Sequence, residues 1–257
     1  DTFEVKEFSG EPLSPAKEDR VRLAAVLTKQ FTHVLDRAPN PMAALKRFEQ
    51  LIQEFASAGD GEAIQKMLAN TEPQRELARL LGASDFLWED FIRQQQENLL
   101  PLLSQVEEHR LLSADSEEIP GRLAEVIDNA PTFEEKKRAL NSFKDQEAFL
   151  IDIDHILQRE RNFFFLSHRL TRLAEAVVEA AVGIAWVALS ERYGTPRSAA
   201  GMPAQWAAFG LGKLGGSALG YASDIELLFL YSDHGETDGA EPVPNREFFE
   251  RLFKETT

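Results

Sequence analysis

From about Ser14 to Arg192 the apolar positions recur at helical spacing, and after Gly194 they change to short runs of strand character. The first helix is predicted to open at Ser14-Pro15, an N-cap followed by a proline whose missing N–H falls where a helix has no partner for it. Its stripe is Val21, Leu23, Ala24, Leu27, Phe31, Val34 and Leu35. Asn40-Pro41 opens a second, carrying Leu45, Phe48, Leu51, Ile52 and Phe55, with Gly59 and Gly61 marking its end. Shorter helices are expected near Ala63 to Leu68, from Pro73 to Leu81 with Gly82 as the stop, and from Ser84 to Leu103 with a bend or division at Pro101.

The polar stretch Ser113 to Glu118 reads as a loop, followed by a helix over Gly121 to Ile127. A long helix should start at Thr132, where Thr132 and Glu135 have the spacing of a capping box. Leu166 to Tyr193 is the strongest helical segment, stopped by Gly194 ahead of Pro196. No fixed-length repeat links these helices, so an irregular bundle is expected and not a solenoid. Thr195 to Pro203 reads as a linker. Trp206 to Gly210 and Ile225 to Tyr231 read as strands, the second an apolar run of the kind buried on both faces. Ser232 to Asn245 is an acidic, Gly/Pro-punctuated loop, and Asn245 is expected to cap a terminal helix. The predicted fold is mainly α, an irregular helical bundle over 1–194 followed over 195–257 by the start of an α/β (α+β) domain.

A chain of 257 residues with 43% hydrophobic and 28% charged positions is long enough to bury one large core or two modest ones. Zero cysteines exclude disulfides, thiolate metal sites and a Cys nucleophile, and fit a reducing, cytoplasmic location. The chemistry must therefore come from oxygen and nitrogen groups. A net charge of -15 argues against non-specific binding to nucleic acid or anionic membranes and favours a protein partner or a metal-chelated nucleotide. Leu173 to Leu189 is apolar but interrupted by Glu175 and Glu179, which reads as a buried amphipathic helix and not a membrane span. The chain opens on Asp1 without a charged-then-apolar leader, so no secretory signal is expected. It closes on "EFFERLFKETT", an unfinished helical pattern, so a fragment of a longer chain is expected.

The stretch "FGLGKLGGSALGYASDIELLFLY" (209–231) contains G-x-G-x-x-G literally. A dinucleotide fold needs a helix of crossover length after the last glycine, yet only Gly216 to Ser223 separate Gly215 from the acids. A P-loop fails as well, because Gly216 and Ser217 stand where Lys is required. What fits is strand, Gly-Gly-Ser turn, one helical turn, then a strand that opens with Asp224 and Glu226. Residues i and i+2 on a strand share a face, so both acids can hold the same metal pair. Mg²⁺ takes hard oxygen ligands and shares them with substrate phosphates, while Gly215, Gly216 and Ser217 offer backbone N–H groups and a hydroxyl to outer phosphates. Lys213 either adds a cation beside that anion or is a solvated or salt-bridged lysine.

"GLGKLGGSALGYASDIELLFLY" resembles the nucleotidyltransferase signature of the glutamine synthetase adenylyltransferase family, the bifunctional adenylylating and adenylyl-removing enzymes. In that family a G-K-L-G-G turn precedes a Ser-Asp-x-Asp-Leu-x-Phe strand. "ARLLGASDFLWEDFI", "LNSFKDQEAFLIDIDHIL" and "LTRLAEAVVEAAV" are similar to the helical segments ahead of it, so the resemblance covers most of the chain. It implies a nucleotidyltransferase palm from residue 195, truncated here. Gly215, Gly216 and Ser217, with Lys213, would hold the nucleotide (ATP or ADP), and Asp224 and Glu226 would hold Mg²⁺, although the family usually has Asp where this chain has Glu226. A third acid from a later strand is implied and does not occur before Thr257.

The long helical lead resembles the amino-terminal half of the family. That half is associated with phosphorolysis of adenylyl-tyrosine on glutamine synthetase, releasing ADP. The partners implied are glutamine synthetase and the PII signalling protein, with no nucleic acid and no membrane. Two rival readings remain open. One is a non-catalytic docking module for glutamine synthetase or PII; the other is a nucleotidyltransferase acting on another substrate. Elsewhere, His33, His109, His155, His168 and His234 lack metal-ligand spacing and read as structural or surface groups. Phe163-Phe164-Phe165 reads as core or interface, and Arg159, Arg161, Arg169 and Arg172 as a solvated face more than an anion site. Asp152 and Asp154 point apart on a helix and form no joint site.

Overall fold

The computed structural model describes residues 15–58, 71–85, 88, 113–157, 162–221 and 223–256. The chain divides into two compact units, Asp1–Leu112 and Ser113–Thr257. The helix expected near Ala63 to Leu68 lies outside the described residues, as does most of the one from Ser84 to Leu103.

In the first unit, α1 (Pro15–Phe31) runs into a 3₁₀ segment (Thr32–Arg37), followed by α2 (Pro41–Ala58) and α3 (Thr71–Ala83). Asn40 caps α2 as expected, its Oδ1 accepting the Ala43 N–H at 3.1 Å. The predicted stripes meet: Leu27, Phe31 and Val34 are buried with Phe48, Leu51 and Leu77. The Phe31 and Phe48 rings stack 3.8 Å apart, a pairing that adds about 1 kcal/mol beyond area burial. Gly82 does not stop α3, which continues to Ala83. Its function is close approach, since a Cβ there would stand 3.0 Å from that of Ala38 and 3.1 Å from the Asn40 carbonyl oxygen.

In the second unit, α4 (Ile119–Asp128), α5 (Phe133–Leu157) and α6 (Phe163–Tyr193) precede a hairpin of β1 (Trp206–Leu211) and β2 (Glu226–Tyr231) and a terminal α8 (Asn245–Thr256). A four-residue helical turn, α7 (Gly212–Gly215), follows β1 directly. The fold is thus mainly α with a two-stranded antiparallel sheet. The capping box at α5 forms: the Thr132 N–H donates to Glu135 at 3.1 Å and the Glu135 N–H donates to the Thr132 hydroxyl oxygen at 3.3 Å. Gly194 ends α6 at φ +81°, the conformation glycine adopts without steric penalty.

Two apolar clusters share α6. Its first half packs Leu166, Leu173 and Ala176 with Leu123, Leu140 and Ile151 of α4 and α5. Its second half packs Val182, Ala185 and Tyr193 with Phe248, Phe249 and Leu252 of α8. Trp206, Phe229 and Tyr231 close this second cluster from the sheet, Phe229 stacking 4.1 Å from Phe253 and Tyr231 4.7 Å from Phe249. By length and composition α6 could also cross a membrane; in the fold its apolar positions contribute to both clusters.

Three expectations about the sheet and its flanking loops change. β2 is not buried on both faces, because Leu228 and Leu230 are 43% and 52% exposed together with Phe209 at 50%. Among the described residues alternate positions of β2 are exposed, and β1 is exposed from Ala208 to Leu211. The Thr195 to Pro203 segment is no free linker: Arg197 donates its N–H to the Glu236 carbonyl at 3.0 Å and its Nε to Asp238 at 2.7 Å. Asn245 does not accept a helix N–H; its buried amide donates to the carbonyls of Arg197 at 2.8 Å and Asp233 at 3.0 Å, tying the two loops together.

A buried polar cluster links Ser113-Ala114 to α5 and α6. Arg169, 2% exposed and hence no solvated side chain, donates to Asp154 at 3.1 Å and to the Ala114 carbonyl at 2.6 Å, with its guanidinium over the Phe165 ring. Asp154 also accepts from the Ser113 N–H at 3.1 Å and from the Ser113 hydroxyl. Glu147 accepts the Ala114 N–H, and burial pushes its carboxyl upward. Asp152 differs from its neighbour: it is 2% exposed, one carboxylate oxygen has no hydrogen bond, and burial pushes its pKa up to about 8.

The sign follows from proton counting. Between about pH 4 and that value the folded chain holds a proton the unfolded chain has released, so stability falls as pH rises through the window. Asp152→Asn should therefore match the parent near pH 4 and exceed it by about 2–3 kcal/mol at pH 8. Urea denaturation at the two pH values measures the difference; equal stabilities at pH 8 would contradict the burial argument.

Candidate functional site

The hairpin brings the glycine-rich turn and Glu226 together. β1 and β2 pair antiparallel with Leu211 opposite Glu226, which sets Glu226 beside Gly212 at the first residue of the turn. A Cβ on Gly212 would stand 2.7 Å from Glu226 Oε2, and Gly212 adopts φ +52°. The position therefore requires glycine for two separate reasons. Gly215 folds back on the end of β1, where a Cβ would lie 2.4 Å from the Gly210 carbonyl oxygen. A Cβ on Gly210 would meet the Leu214 side chain at 2.8 Å. The glycines thus let the turn lie flat on the strand.

The order of parts differs from expectation, with the helical turn preceding the Gly-Gly-Ser bend. The Gly216 N–H donates to the Gly212 carbonyl at 3.1 Å, the Ser217 N–H to Leu214 at 3.1 Å and the Ala218 N–H to Lys213 at 2.8 Å. The amides of Gly216 and Ser217 therefore close the bend, and donating them to a phosphate would require exchanging those bonds. Ser217 sits at φ +49°, the one non-glycine residue with positive φ among those described, and its side chain is exposed. A serine pays about 1 kcal/mol there relative to glycine, and such strain is found where a side chain serves another purpose.

Lys213 is exposed on α7 and reaches toward Ser223, its Nζ 3.5 Å from the hydroxyl oxygen, which also accepts the Gly220 N–H at 2.9 Å. Asp224 follows on the unpaired segment just before β2, since the ladder begins at Glu226. Both carboxylates are exposed, and among the described residues neither has an ion-pair partner. No group of three or more acidic or His side chains suited to a metal occurs among the described residues. A cleft of about 610 Å³ between α4, the start of α5 and α6 holds none of the predicted site residues.

Four residues that the sequence does not assign to the site adjoin it. Tyr221 places its hydroxyl 2.5 Å from His155 Nδ1 on α5, and Asp152 lies one turn earlier on the same helix. Burial lowers the His155 pKa and raises that of Tyr221, whose phenol is held further in its neutral form by the charge of Asp152. The pair is thus a phenol against a neutral imidazole. Phe163, first in α6 and half exposed, packs on Gly220.

Comparison with known proteins identifies the lineage. A family model described as glutamate-ammonia ligase adenylyltransferase matches residues 74–256. The chain belongs to this family. Among similar proteins, the bifunctional glutamine synthetase adenylyltransferase/adenylyl-removing enzyme of Thioalkalivibrio sulfidiphilus is 47% identical over 85 residues, 32% of this chain and 9% of that protein. The enzymes of that description from Pseudomonas putida and Idiomarina loihiensis are 29% identical over 242 residues and 28% over 249. These alignments cover 91% and 93% of this chain, and 24% and 25% of those proteins. The chain spans about a quarter or less of the length of the curated relatives it matches. The glutamate-ammonia ligase adenylyltransferase match runs continuously from α3 through α8 and includes the whole glycine-rich hairpin.

Proposed function

We propose that this chain is part of a nucleotidyltransferase that removes AMP from a tyrosine of glutamine synthetase by phosphorolysis, or adds it, with the palm starting near residue 195. The observation that carries the reading is the hairpin register, with Leu211 opposite Glu226 and Gly212 against its carboxylate. Asp224 and Glu226 would hold Mg²⁺: an exposed, unpaired carboxylate pair is a hard-oxygen donor set, and the bare Cα of Gly212 leaves room at Glu226 Oε2. Mg²⁺, when bound, would stabilise negative charge developing on phosphate oxygens.

The chain's own groups divide the remaining work. Ser217 would offer its hydroxyl, and Gly215 and Gly216 a side-chain-free surface, to the nucleotide phosphates, with Lys213 adding a positive charge. In phosphorolysis an oxygen of inorganic phosphate bonds to the AMP phosphorus as the bond to the tyrosyl oxygen breaks. ADP forms, and the released phenolate takes a proton. Glutamine synthetase and PII as partners, and a cytoplasmic location, belong to this same reading.

Full-length protein incubated with adenylylated glutamine synthetase, phosphate and Mg²⁺ should release ADP. Tight binding of the synthetase without ADP would instead support the docking module, and turnover only on unrelated acceptors a different substrate. Ser217→Gly provides a second check. It should leave the melting temperature unchanged or raise stability by up to about 1 kcal/mol, while lowering ADP release about 10-fold. Full activity in that variant would remove the hydroxyl from the site.

A further inference from the structure

The segment between the glycine-rich bend and Asp224 is held from the helical side of its unit. Gly220 lies against Phe163, where a Cβ would stand 3.3 Å from the ring. Tyr221 bonds His155 Nδ1 at 2.5 Å, the rings tilted 50° with centroids 5.8 Å apart. Ser223 closes the turn through the Gly220 N–H and meets Lys213. Asp224 comes next. The β ladder fixes the chain only from Glu226 onward, so the placement of Asp224 depends on what anchors residues 220–223. Among the described residues Tyr221 is the polar tie of this segment to α5, its partner lying 66 residues earlier.

We infer that Tyr221, bonded to His155, is a positioning residue for Asp224: it couples α5 to the carboxylate and keeps the loop in the geometry the reaction needs. The inference rests on Asp224 serving as a metal-holding carboxylate. A phenol-to-imidazole bond suits the task because both groups are partly desolvated and neutral, so the bond is directional and insensitive to salt. Losing it would let the loop shift, and a displacement of about 1 Å in a reacting constellation costs up to about 100-fold in rate.

The test uses the full-length protein with Tyr221→Phe, His155→Ala, His155→Gln and Asp224→Ala. Hydrogen exchange at residues 218–225, measured without metal or nucleotide, reads the anchor. The kcat and KM of ADP release and the Mg²⁺ concentration at half-saturation read its consequence. Tyr221→Phe and His155→Ala should speed loop exchange about 10-fold and lower kcat about 10-fold. Both should raise the half-saturating Mg²⁺, with the KM for adenylylated protein and the melting temperature unchanged. His155→Gln, whose amide can still bond the phenol, should restore most of both readouts. Parent-like exchange or kcat in Tyr221→Phe overturns the inference, as does a loss that tracks melting temperature and is not rescued by glutamine. If Asp224→Ala keeps parent activity while the exchange results hold, the carboxylate reading fails and the anchor alone survives.

Discussion

Asp224→Ala is expected to lower Mg²⁺-dependent ADP release from adenylylated glutamine synthetase by about 1,000-fold, with little change in folding stability. The size follows from charge. Phosphoryl transfer leaves the protein little covalent chemistry to perform, so positioning and electrostatic stabilisation supply most of the rate, and a metal contributes several kcal/mol of it. Removing a carboxylate that holds the metal would withdraw about 4 kcal/mol of that stabilisation, at about 1.4 kcal/mol per factor of ten. Stability should hold because Asp224 is exposed and unpaired among the described residues, and truncating such a side chain changes folding by less than about 0.5 kcal/mol. Single-turnover kinetics at saturating substrate separates the chemical step from binding. A fall of less than 10-fold would mean that the metal, if bound, is held elsewhere.

Arg169→Ala is expected to destabilise the second unit by about 3–5 kcal/mol, the effect of removing one partner from a buried ion pair. Arg169 and Asp154 are each 2% exposed, so the surviving carboxylate would remain in a low-dielectric site without the guanidinium. The Ala114 carbonyl would lose a donor at 2.6 Å, and the Phe165 ring its cation. Urea denaturation at neutral pH measures the loss. Replacing both partners, Arg169→Met with Asp154→Leu, should recover much of it, because the net contribution of a buried pair against apolar side chains of similar volume is small. A loss under 1 kcal/mol in the single variant would contradict the buried-pair argument.

Much of this architecture was legible because it is written over three or four residues. The Thr132–Glu135 capping box, the Asn40 cap, the Gly194 stop and the helices that fall among the described residues involve neighbours along the chain, and these appear in the structure. The approach of Glu226 to the glycine-rich turn was legible, since the hairpin that makes it is local as well. Their detailed roles were not. Gly82 looked like a stop because its partner, the Asn40 backbone, is distant in sequence, and Asn245 looked like a cap because its true acceptors are carbonyls of Arg197 and Asp233. β2 looked doubly buried because its composition carries no information about whether a second layer covers it.

By itself the sequence determined the helical elements, the hairpin and the acid-bearing turn, since backbone propensity, capping and side-chain period act between near neighbours. Tertiary structure alone decided which charges are desolvated and which are left in water. Arg169 meets Asp154 across 15 residues, Ser113 meets Asp154 across 41 and Tyr221 meets His155 across 66. Burial and pairing are properties of whichever atoms the folded chain brings alongside, so a buried clamp arginine and a solvated lysine read alike until those atoms are in place.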